Sequence, residues 1–262
     1  MLIGNKYEII AKISGGTFGS LYKGKNIRTG KLVAIKVEIR DDNSVNTLKY
    51  EANVYNHLKN INNFVKLRWF GTTEKYNFLV IDLLGYSLKN QFVTNFTKYN
   101  LENVLDFGKK IISKLMVLHE NQIIHRDLKP HNILLDIDNS FDNIFLVDFS
   151  FCKKYINSDG IHIEENKINK YIGSTNYISL NIHNLIEPSR RDDLESVIYI
   201  LIYLYFGKLD WETFTNAKDI FKMKKNIIYD ESIPECFRTM ISYVRSLEFN
   251  ERPNYFYLMG FN

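Results

Sequence analysis

The chain has 262 residues, of which 45% are hydrophobic and 24% charged, values that exclude a disordered tail or a fibrous repeat. Its net charge of +4 lies in short clusters, so neither a nucleic-acid partner nor a membrane is expected. Two cysteines and the lack of an apolar leader after Met1 predict a protein inside the cell, in cytoplasm or nucleus. We also expect a monomer. With 13 Gly and 4 Pro scattered along the chain, no linker divides residues 1–262, which we expect to form one domain.

The first third of the chain has the pattern of an antiparallel sheet interrupted by one helix. β-branched and aromatic runs separated by Gly or Asn predict five strands. These are Tyr7–Ile13, Gly19–Lys25, Leu32–Ile39, Phe64–Phe70 and Asn77–Asp82. Apolar residues at helical spacing predict a helix over Thr47–Lys59, with Asn43 and Ser44 as candidate N-caps.

After Gly85 the hydrophobic period becomes helical. The predicted helices are Leu101 to about Glu120, Leu194–Phe206 and Cys236–Leu247. The run Val197–Phe206 is half the length that a bilayer-crossing helix needs, so we interpret it as a buried core helix. The fold class is therefore α+β: a β-rich lobe over about residues 1–84, a mainly α lobe over about 85–262, and a cleft between them.

Two elements of the β-rich half predict a phosphate site. Ser14–Gly19 is a small-residue hairpin tip, where backbone N–H groups can approach phosphate oxygens, although an ordinary hairpin turn has the same composition. Val33–Lys36 matches the V-A-I-K strand, whose lysine contacts nucleotide phosphates. Glu51, on the predicted helix, is the carboxylate expected to pair with Lys36. Two unrelated surface charges are the alternative.

His125–Asn132 matches H-R-D-L-x-x-x-N across its full spacing. Asp127 is predicted to orient and accept the proton of an attacking hydroxyl, and Asn132 to present an amide oxygen to Mg²⁺. Lys129 is expected to reach the γ-phosphoryl group. We interpret His125 as a buried, hydrogen-bonding core residue and not as a catalytic one.

Asp148–Ser150 follows an apolar run and stands at the D-F-G position. Asp148 is the predicted second Mg²⁺ ligand. Ser150 replaces the glycine and restricts the backbone, so we expect restricted switching of this segment and not lost catalysis.

Taken with these motifs, the chain resembles eukaryotic protein kinases over nearly its whole length, and specifically the casein kinase 1 family. Ser189–Ser196 matches that family's S-R-R-D-D-L-E-S, and Leu83–Leu88 is similar to its hinge signature. The resemblance implies a bilobal protein-kinase fold, ATP and Mg²⁺ as cofactors, and transfer of the γ-phosphate to Ser or Thr of protein substrates. Lys129 stands where tyrosine-specific relatives have an Ala-Ala-Arg run, and it agrees with Ser/Thr specificity.

The resemblance also assigns further site residues. The backbones of Asp82 and Leu84 would hydrogen-bond adenine, with Ile81 as gatekeeper. Ser174, Asn176 and Arg190 belong to the activation segment and substrate side, and the Ser174 hydroxyl would bridge Asp127 and Lys129. The ATP-loop positions are Ile13, Ser14, Gly15, Gly16, Thr17, Phe18, Gly19, Ser20 and Leu21.

One departure from the family concerns the substrate. Asn176 stands where the family has an arginine linked to an anion site, which argues against carrying over the implied preference for acidic or already phosphorylated proteins. Lys167, Lys170 and the lysines of 222–225 are candidate replacements, with solvated surface as the alternative. The chain ends at Asn262, so the inhibitory tail that the family often carries is not expected.

Two other functions compete with an active kinase. Ser14 and Ser150 suggest a catalytically weak or inactive pseudokinase that serves as a binding scaffold. A kinase-fold enzyme acting on small molecules, similar to aminoglycoside phosphotransferases, is the second, and the Ser189–Ser196 segment argues against it. Every charged residue that the reaction requires is present, which favours the active kinase.

Overall fold

A computed structural model describes residues 2–16, 19–41, 46–62, 64–95 and 99–261. Within these ranges the chain forms ten strands, namely β1 Leu2–Ile3, β2 Tyr7–Gly16, β3 Gly19–Asn26, β4 Leu32–Ile39, β5 Leu67–Thr72, β6 Tyr76–Asp82, β7 Ile123–Ile124, β8 Ile133–Leu135, β9 Ile144–Leu146 and β10 Lys153–Lys154. The α-helices in the same ranges are α1 Thr47–His57, α2 Leu88–Asn95, α3 Leu101–Glu120, α4 Leu180–His183, α5 Arg190–Phe206, α6 Ala217–Asn226, α7 Glu235–Ser246 and α8 Tyr255–Met259.

The chain divides into two compact units. The first comprises residues 1–86 and 134–150, and the second residues 87–133 and 151–262. The predicted boundary near residue 85 is close, but residues 134–150 were expected in the helical lobe and belong to the β-rich unit. The reason is local: Gly85 N donates to Leu135 O, and Leu135 N donates to Tyr86 O.

The β-rich unit is built on an antiparallel sheet in the order β1-β2-β3-β4-β6-β5. The prediction of five strands is wrong by one, because Leu2–Ile3 adds a short edge strand paired with Tyr7–Glu8. One face of this sheet buries a core of Ile3, Tyr7, Val33, Ile35, Phe78 and Val80. The strand predicted to begin at Phe64 begins at Leu67. Phe64 and Val65 are buried ahead of the strand, and their apolar side chains made the predicted strand too long.

Helix α1 begins at Thr47, as predicted, and is capped by Asn46, whose side chain accepts from Lys49 N. The candidate caps Asn43 and Ser44 lie outside the described residues. The buried face of α1 includes Leu48, Glu51 and Tyr55. Helix α1 therefore places a carboxylate on its buried side.

The second unit is mainly helical, so the α+β class is confirmed. Helix α5 is buried from Arg190 to Leu204 and lies against α3 and α7, which confirms the predicted core helix. It begins four residues before the predicted start, because the hydrophobic pattern left out Arg190–Asp193, which are charged but nevertheless buried. No helix of the described residues is long and apolar enough to cross a membrane.

Candidate active site

Lys36 on β4 and Glu51 on α1 form a short ion pair in the β-rich unit. Lys36 Nζ lies 2.8 Å from Glu51 Oε2, and the Glu51 side chain is only 2% exposed. Lys36 Nζ also lies 3.0 Å from Asp148 Oδ1. Burial acts to lower the pKa of Lys36, but the two carboxylates outweigh it and the pKa is raised. The lysine is therefore held as a cation.

The Asp148 segment is anchored beside this pair. Asp148 has a positive φ of 64°, which turns the chain sharply, and residues Phe149–Phe151 form a single 3-10 turn. Phe149 is fully buried against Tyr55 of α1, with ring centroids 5.0 Å apart. Glu51 Oε1 accepts from Phe149 N. The same glutamate thus holds both Lys36 and the segment that carries Asp148, the predicted Mg²⁺ ligand.

Ser150 takes part in this arrangement through its hydroxyl. Ser150 Oγ accepts from Lys36 Nζ at 3.1 Å and donates to Asp148 Oδ1. Its φ is not positive, so glycine is not required at this position. We call Lys36, Glu51, Asp148 and Ser150 the Lys36 cluster.

A second cluster lies in the helical unit, around Asp127. Asp127 Oδ1 accepts from Ser174 N and from Ser174 Oγ, both at 2.9 Å. Asp127 Oδ2 accepts from Lys129 Nζ at 2.7 Å and from Asn132 Nδ2 at 3.4 Å. Lys129 also donates to Ser174 Oγ, so the predicted bridge by the Ser174 hydroxyl is confirmed. We call Asp127, Lys129, Asn132 and Ser174 the Asp127 cluster.

The loop that carries Asp127 is held by Asp193 of α5. Asp193 Oδ2 accepts from His125 N at 2.7 Å and Asp193 Oδ1 from Arg126 N at 2.8 Å. His119 Nε2 lies 3.0 Å from Asp193 Oδ2 and donates to it, because a carboxylate only accepts, and His119 Nδ1 lies 2.7 Å from Tyr255 OH. Burial lowers the pKa of His119, which favours the neutral ring with Nδ1 as the acceptor. His125 itself is fully buried, as predicted.

The glycine-rich hairpin lies at the turn between β2 and β3. Thr17 and Phe18 are outside the described residues. Gly19 has a φ of 115°, and a Cβ there would come within 2.3 Å of Val37 O, so glycine is required at this position. Ser14, which replaces a glycine, pairs with Leu21 in the ladder at an ordinary negative φ. The serine is therefore compatible with this hairpin.

The predicted adenine-binding backbone follows β6. Asp82 ends that strand, and its carboxylate accepts from both Nε and Nη2 of Arg68. Two residues beyond Leu84, Tyr86 N donates to Asn139 Oδ1, and a Cβ on Gly85 would come within 2.1 Å of Asp136 O. This stretch is therefore fixed within the β-rich unit, and the adenine contacts of Asp82 and Leu84 stay a prediction.

The residues after Ser174 are held by side chains of elements that come later in the chain. Lys224 Nζ donates to Thr175 O at 2.8 Å and to Ile178 O at 2.7 Å. Trp211 Nε1 donates to Asn176 O at 2.9 Å. Lys224 is 0% exposed, so it is neither the surface lysine nor the replacement anion site that the sequence suggested. Its place in a lysine-rich run gave no signal of this role.

Arg190 also has a different position from the one predicted. Its guanidinium lies 4.6 Å from the Tyr155 ring centroid and donates to Asn250 O at 2.6 Å. Arg190 is only 9% exposed and fixes the N-terminus of α5 inside the helical unit. This is a structural role, and it does not support the predicted place on the substrate side.

The Lys224 environment gives a pH dependence that can be measured. Burial first, and the nearby Lys224 second, lower the pKa of His183 to about 3, whereas an unfolded histidine titrates near 6.5. Between these values the unfolded chain binds more protons, so the free energy of unfolding falls as the pH drops from about 6.5 towards 3. His183→Gln should therefore lose less melting temperature between about pH 7 and pH 5 than the parent. Thermal denaturation at both pH values tests this, with His57→Gln, at an exposed histidine, as the control. If the melting temperature of His183→Gln fell as much as that of the parent, the prediction would be contradicted.

Asn132 and Asp148 each carry an oxygen of the kind that Mg²⁺ prefers. Among the described residues, no group of three or more His, Cys, Asp or Glu side chains could hold a metal ion. Mg²⁺ in phosphotransferases is held by one or two carboxylates together with substrate phosphates, so a closed cage is not needed. The Asn132 amide nitrogen is committed to Asp127 O at 2.9 Å, which leaves the hard amide oxygen as the ligand group. Asn132 and Asp148 thus fit the metal chemically.

A cationic lysine held by a glutamate in one unit, and an aspartate fixed by lysine, serine and asparagine in the other, are the residue types that phosphotransferases of the kinase class use. The family model described as protein kinase domain matches residues 7–259, so the chain belongs to the protein kinase family. This membership agrees with the fold of both units and with the general use of ATP and Mg²⁺ in the family. The prediction of a protein kinase is therefore confirmed, and the assignment to the casein kinase 1 branch stays a prediction.

Proposed function

We propose that the protein is an active, ATP- and Mg²⁺-dependent Ser/Thr kinase of the casein kinase 1 type. The Asp127 cluster carries the proposal, because four donor contacts hold both oxygens of one carboxylate in a fixed position. A scaffold protein has no need for a carboxylate restrained in this way. The S-R-R-D-D-L-E-S match at the start of α5 supports the casein kinase 1 branch.

Each residue has a separate part in the proposed reaction. Asp127 accepts the proton of the acceptor hydroxyl as that oxygen bonds to the γ-phosphorus and ADP leaves. Lys129 offsets negative charge on the transferred group, and Lys36, kept cationic by Glu51, binds nucleotide phosphates. Asp148 and Asn132 would hold Mg²⁺, which supplies neutralisation of phosphate charge.

The substrates are proposed to be proteins. Ser174 contacts Asp127 directly, and the backbone of residues 175–178 is fixed by Lys224 and Trp211. A rigid segment next to the catalytic carboxylate suits an extended peptide near its acceptor residue. Asn176 offers no positive charge, so we propose only a weak preference for phosphorylated neighbours of the acceptor.

Label transfer from γ-labelled ATP tests the proposal. The purified chain with Mg²⁺ should label casein, and dephosphorylated casein should be labelled nearly as well because of Asn176. Asp148→Asn should abolish transfer, while Asp159→Asn, at an exposed turn, should not. Transfer that Asp148→Asn leaves intact, or no transfer by the parent with any divalent metal, would overturn the proposal.

A catalytically inactive scaffold is the second candidate, motivated by Ser14 and Ser150. The two candidates differ in their response to metal. An active enzyme should show a melting temperature that rises with ATP only when Mg²⁺ is present, since Asp148 and Asn132 act through the metal. A metal-independent rise, combined with no label transfer, would favour the scaffold.

A further inference from the structure

The hydroxyl of Ser150 occupies a specific place in the Lys36 cluster. A lysine ammonium has three N–H donors. In this structure Lys36 has three acceptors: Glu51 Oε2 at 2.8 Å, Asp148 Oδ1 at 3.0 Å and Ser150 Oγ at 3.1 Å. Contacts with described residues therefore use all three donors of the ammonium.

The same hydroxyl also fixes Asp148. Because Lys36 donates to Ser150 Oγ, the serine proton is available to Asp148 Oδ1, and the structure shows this contact. A closed ring results, in which lysine contacts serine, serine contacts aspartate, and aspartate contacts lysine. The positive φ of Asp148 is sterically costly for a residue other than glycine, so the segment needs such contacts to stay in this form.

When Lys36 binds a phosphate, a phosphate oxygen must replace one of these three acceptors. Contacts with ionised carboxylates are stronger than the contact with a neutral hydroxyl. The contact with Ser150 is thus the weakest of the three and the one that a phosphate oxygen replaces. Ser150 can keep its bond to Asp148 while this happens.

We propose that Ser150 is a positioning residue whose hydroxyl holds Lys36 and Asp148 in place until a phosphate oxygen takes over its contact with Lys36. This inference rests on the proposed function, since it assigns a nucleotide phosphate to Lys36. It differs from the expectation that the serine acts by restricting the backbone. A glycine at this position could adopt the same backbone but would lack the contact.

Amide hydrogen exchange in the nucleotide-free protein tests the proposal. Ser150→Ala removes the hydroxyl and retains a side chain, so exchange over residues 148–153 should become roughly tenfold faster. Ser150→Gly should show at least the same increase, and Ser150→Thr should restore the protection of the parent. Ser140→Ala is the matched control, because Ser140 also donates to an aspartate two residues away, Asp142, without a lysine.

The outcomes separate the possible roles of the residue. Exchange that is unchanged in Ser150→Ala, or faster only in Ser150→Gly, would overturn the proposal in favour of the backbone restriction. Failure of Ser150→Thr to restore protection would also contradict a role of the hydroxyl. With Mg²⁺ and a non-hydrolysable ATP analogue, the difference between parent and Ser150→Ala should shrink, and a difference of the original size would contradict replacement by phosphate.

The nucleotide-free measurement does not depend on catalysis. If the parent transferred no phosphate but Ser150→Ala still accelerated exchange, the proposed function would fail while the positioning role of the hydroxyl stood. If transfer occurred and exchange did not change, only the inference about Ser150 would fail.

Discussion

Asp127→Asn is expected to lower kcat by about 10²- to 10⁴-fold while changing the affinity for ATP much less. The carboxylate is the proposed proton acceptor, and a neutral amide cannot take that proton. The amide also presents an N–H₂ group to two donors, Lys129 Nζ and Asn132 Nδ2, which now contact Asp127 Oδ2. The loss should therefore combine missing acid–base chemistry with a disturbed loop.

Steady-state kinetics with varied ATP and a fixed casein concentration measure this effect. Asp159→Asn makes the same substitution at an exposed residue and should have the kcat of the parent. A rise in KM for ATP with an unchanged kcat would place Asp127 in nucleotide binding and contradict its assigned role. Melting temperatures of both variants show whether a loss of activity reflects unfolding.

Asp193→Asn is the second change for which we expect a large effect. Its carboxylate is 2% exposed and accepts from His125 N, Arg126 N and His119 Nε2. Burial opposes ionisation, but the contact with His119 and the other hydrogen bonds outweigh it, so the pKa of Asp193 is lowered. An amide can accept at one oxygen only and leaves a buried N–H facing donors. The expected cost is about 2–4 kcal/mol of unfolding free energy.

Thermal denaturation should show a melting temperature lower by roughly 5–10 °C for Asp193→Asn. Phosphotransfer should fall as well, since the loop that carries Asp127 loses its anchor. Asp219→Asn, in the exposed first turn of α6, is the matched control and should have the melting temperature of the parent. An Asp193→Asn variant with the stability and activity of the parent would show that the loop is held by other contacts.

The sequence predicted which candidate site residues lie close together, because the kinase motifs constrain residue type and spacing locally. Lys36, Glu51 and Asp148 meet in one unit, and Asp127, Lys129, Asn132 and Ser174 meet in the other. The contact between Lys36 and Glu51 was predicted from a strand and the helix that follows it, both of which have clear periodicity. Boundaries were less accurate where apolar residues continue beyond an element, as at Phe64 before β5.

What the sequence could not predict depends on contacts between distant parts of the chain. Lys224 stands in a lysine-rich run typical of a solvated face, yet its ammonium lies among backbone carbonyls and aromatic rings. Asp193 lies in a recognised motif, but its partners are 68 and 67 residues away. The Ser150 hydroxyl depends on Lys36, which is 114 residues away. Local propensity carries no information on such pairs.

The central claim is that this chain transfers phosphate to Ser or Thr hydroxyls by means of Asp127. Mass spectrometry of casein after incubation with the chain, ATP and Mg²⁺ tests it most directly, with Asp127→Asn and Asp159→Asn in parallel. The account predicts phosphate on Ser and Thr residues with the parent and Asp159→Asn, and almost none with Asp127→Asn. Phosphate on tyrosine alone, or equal phosphorylation by Asp127→Asn, would contradict it.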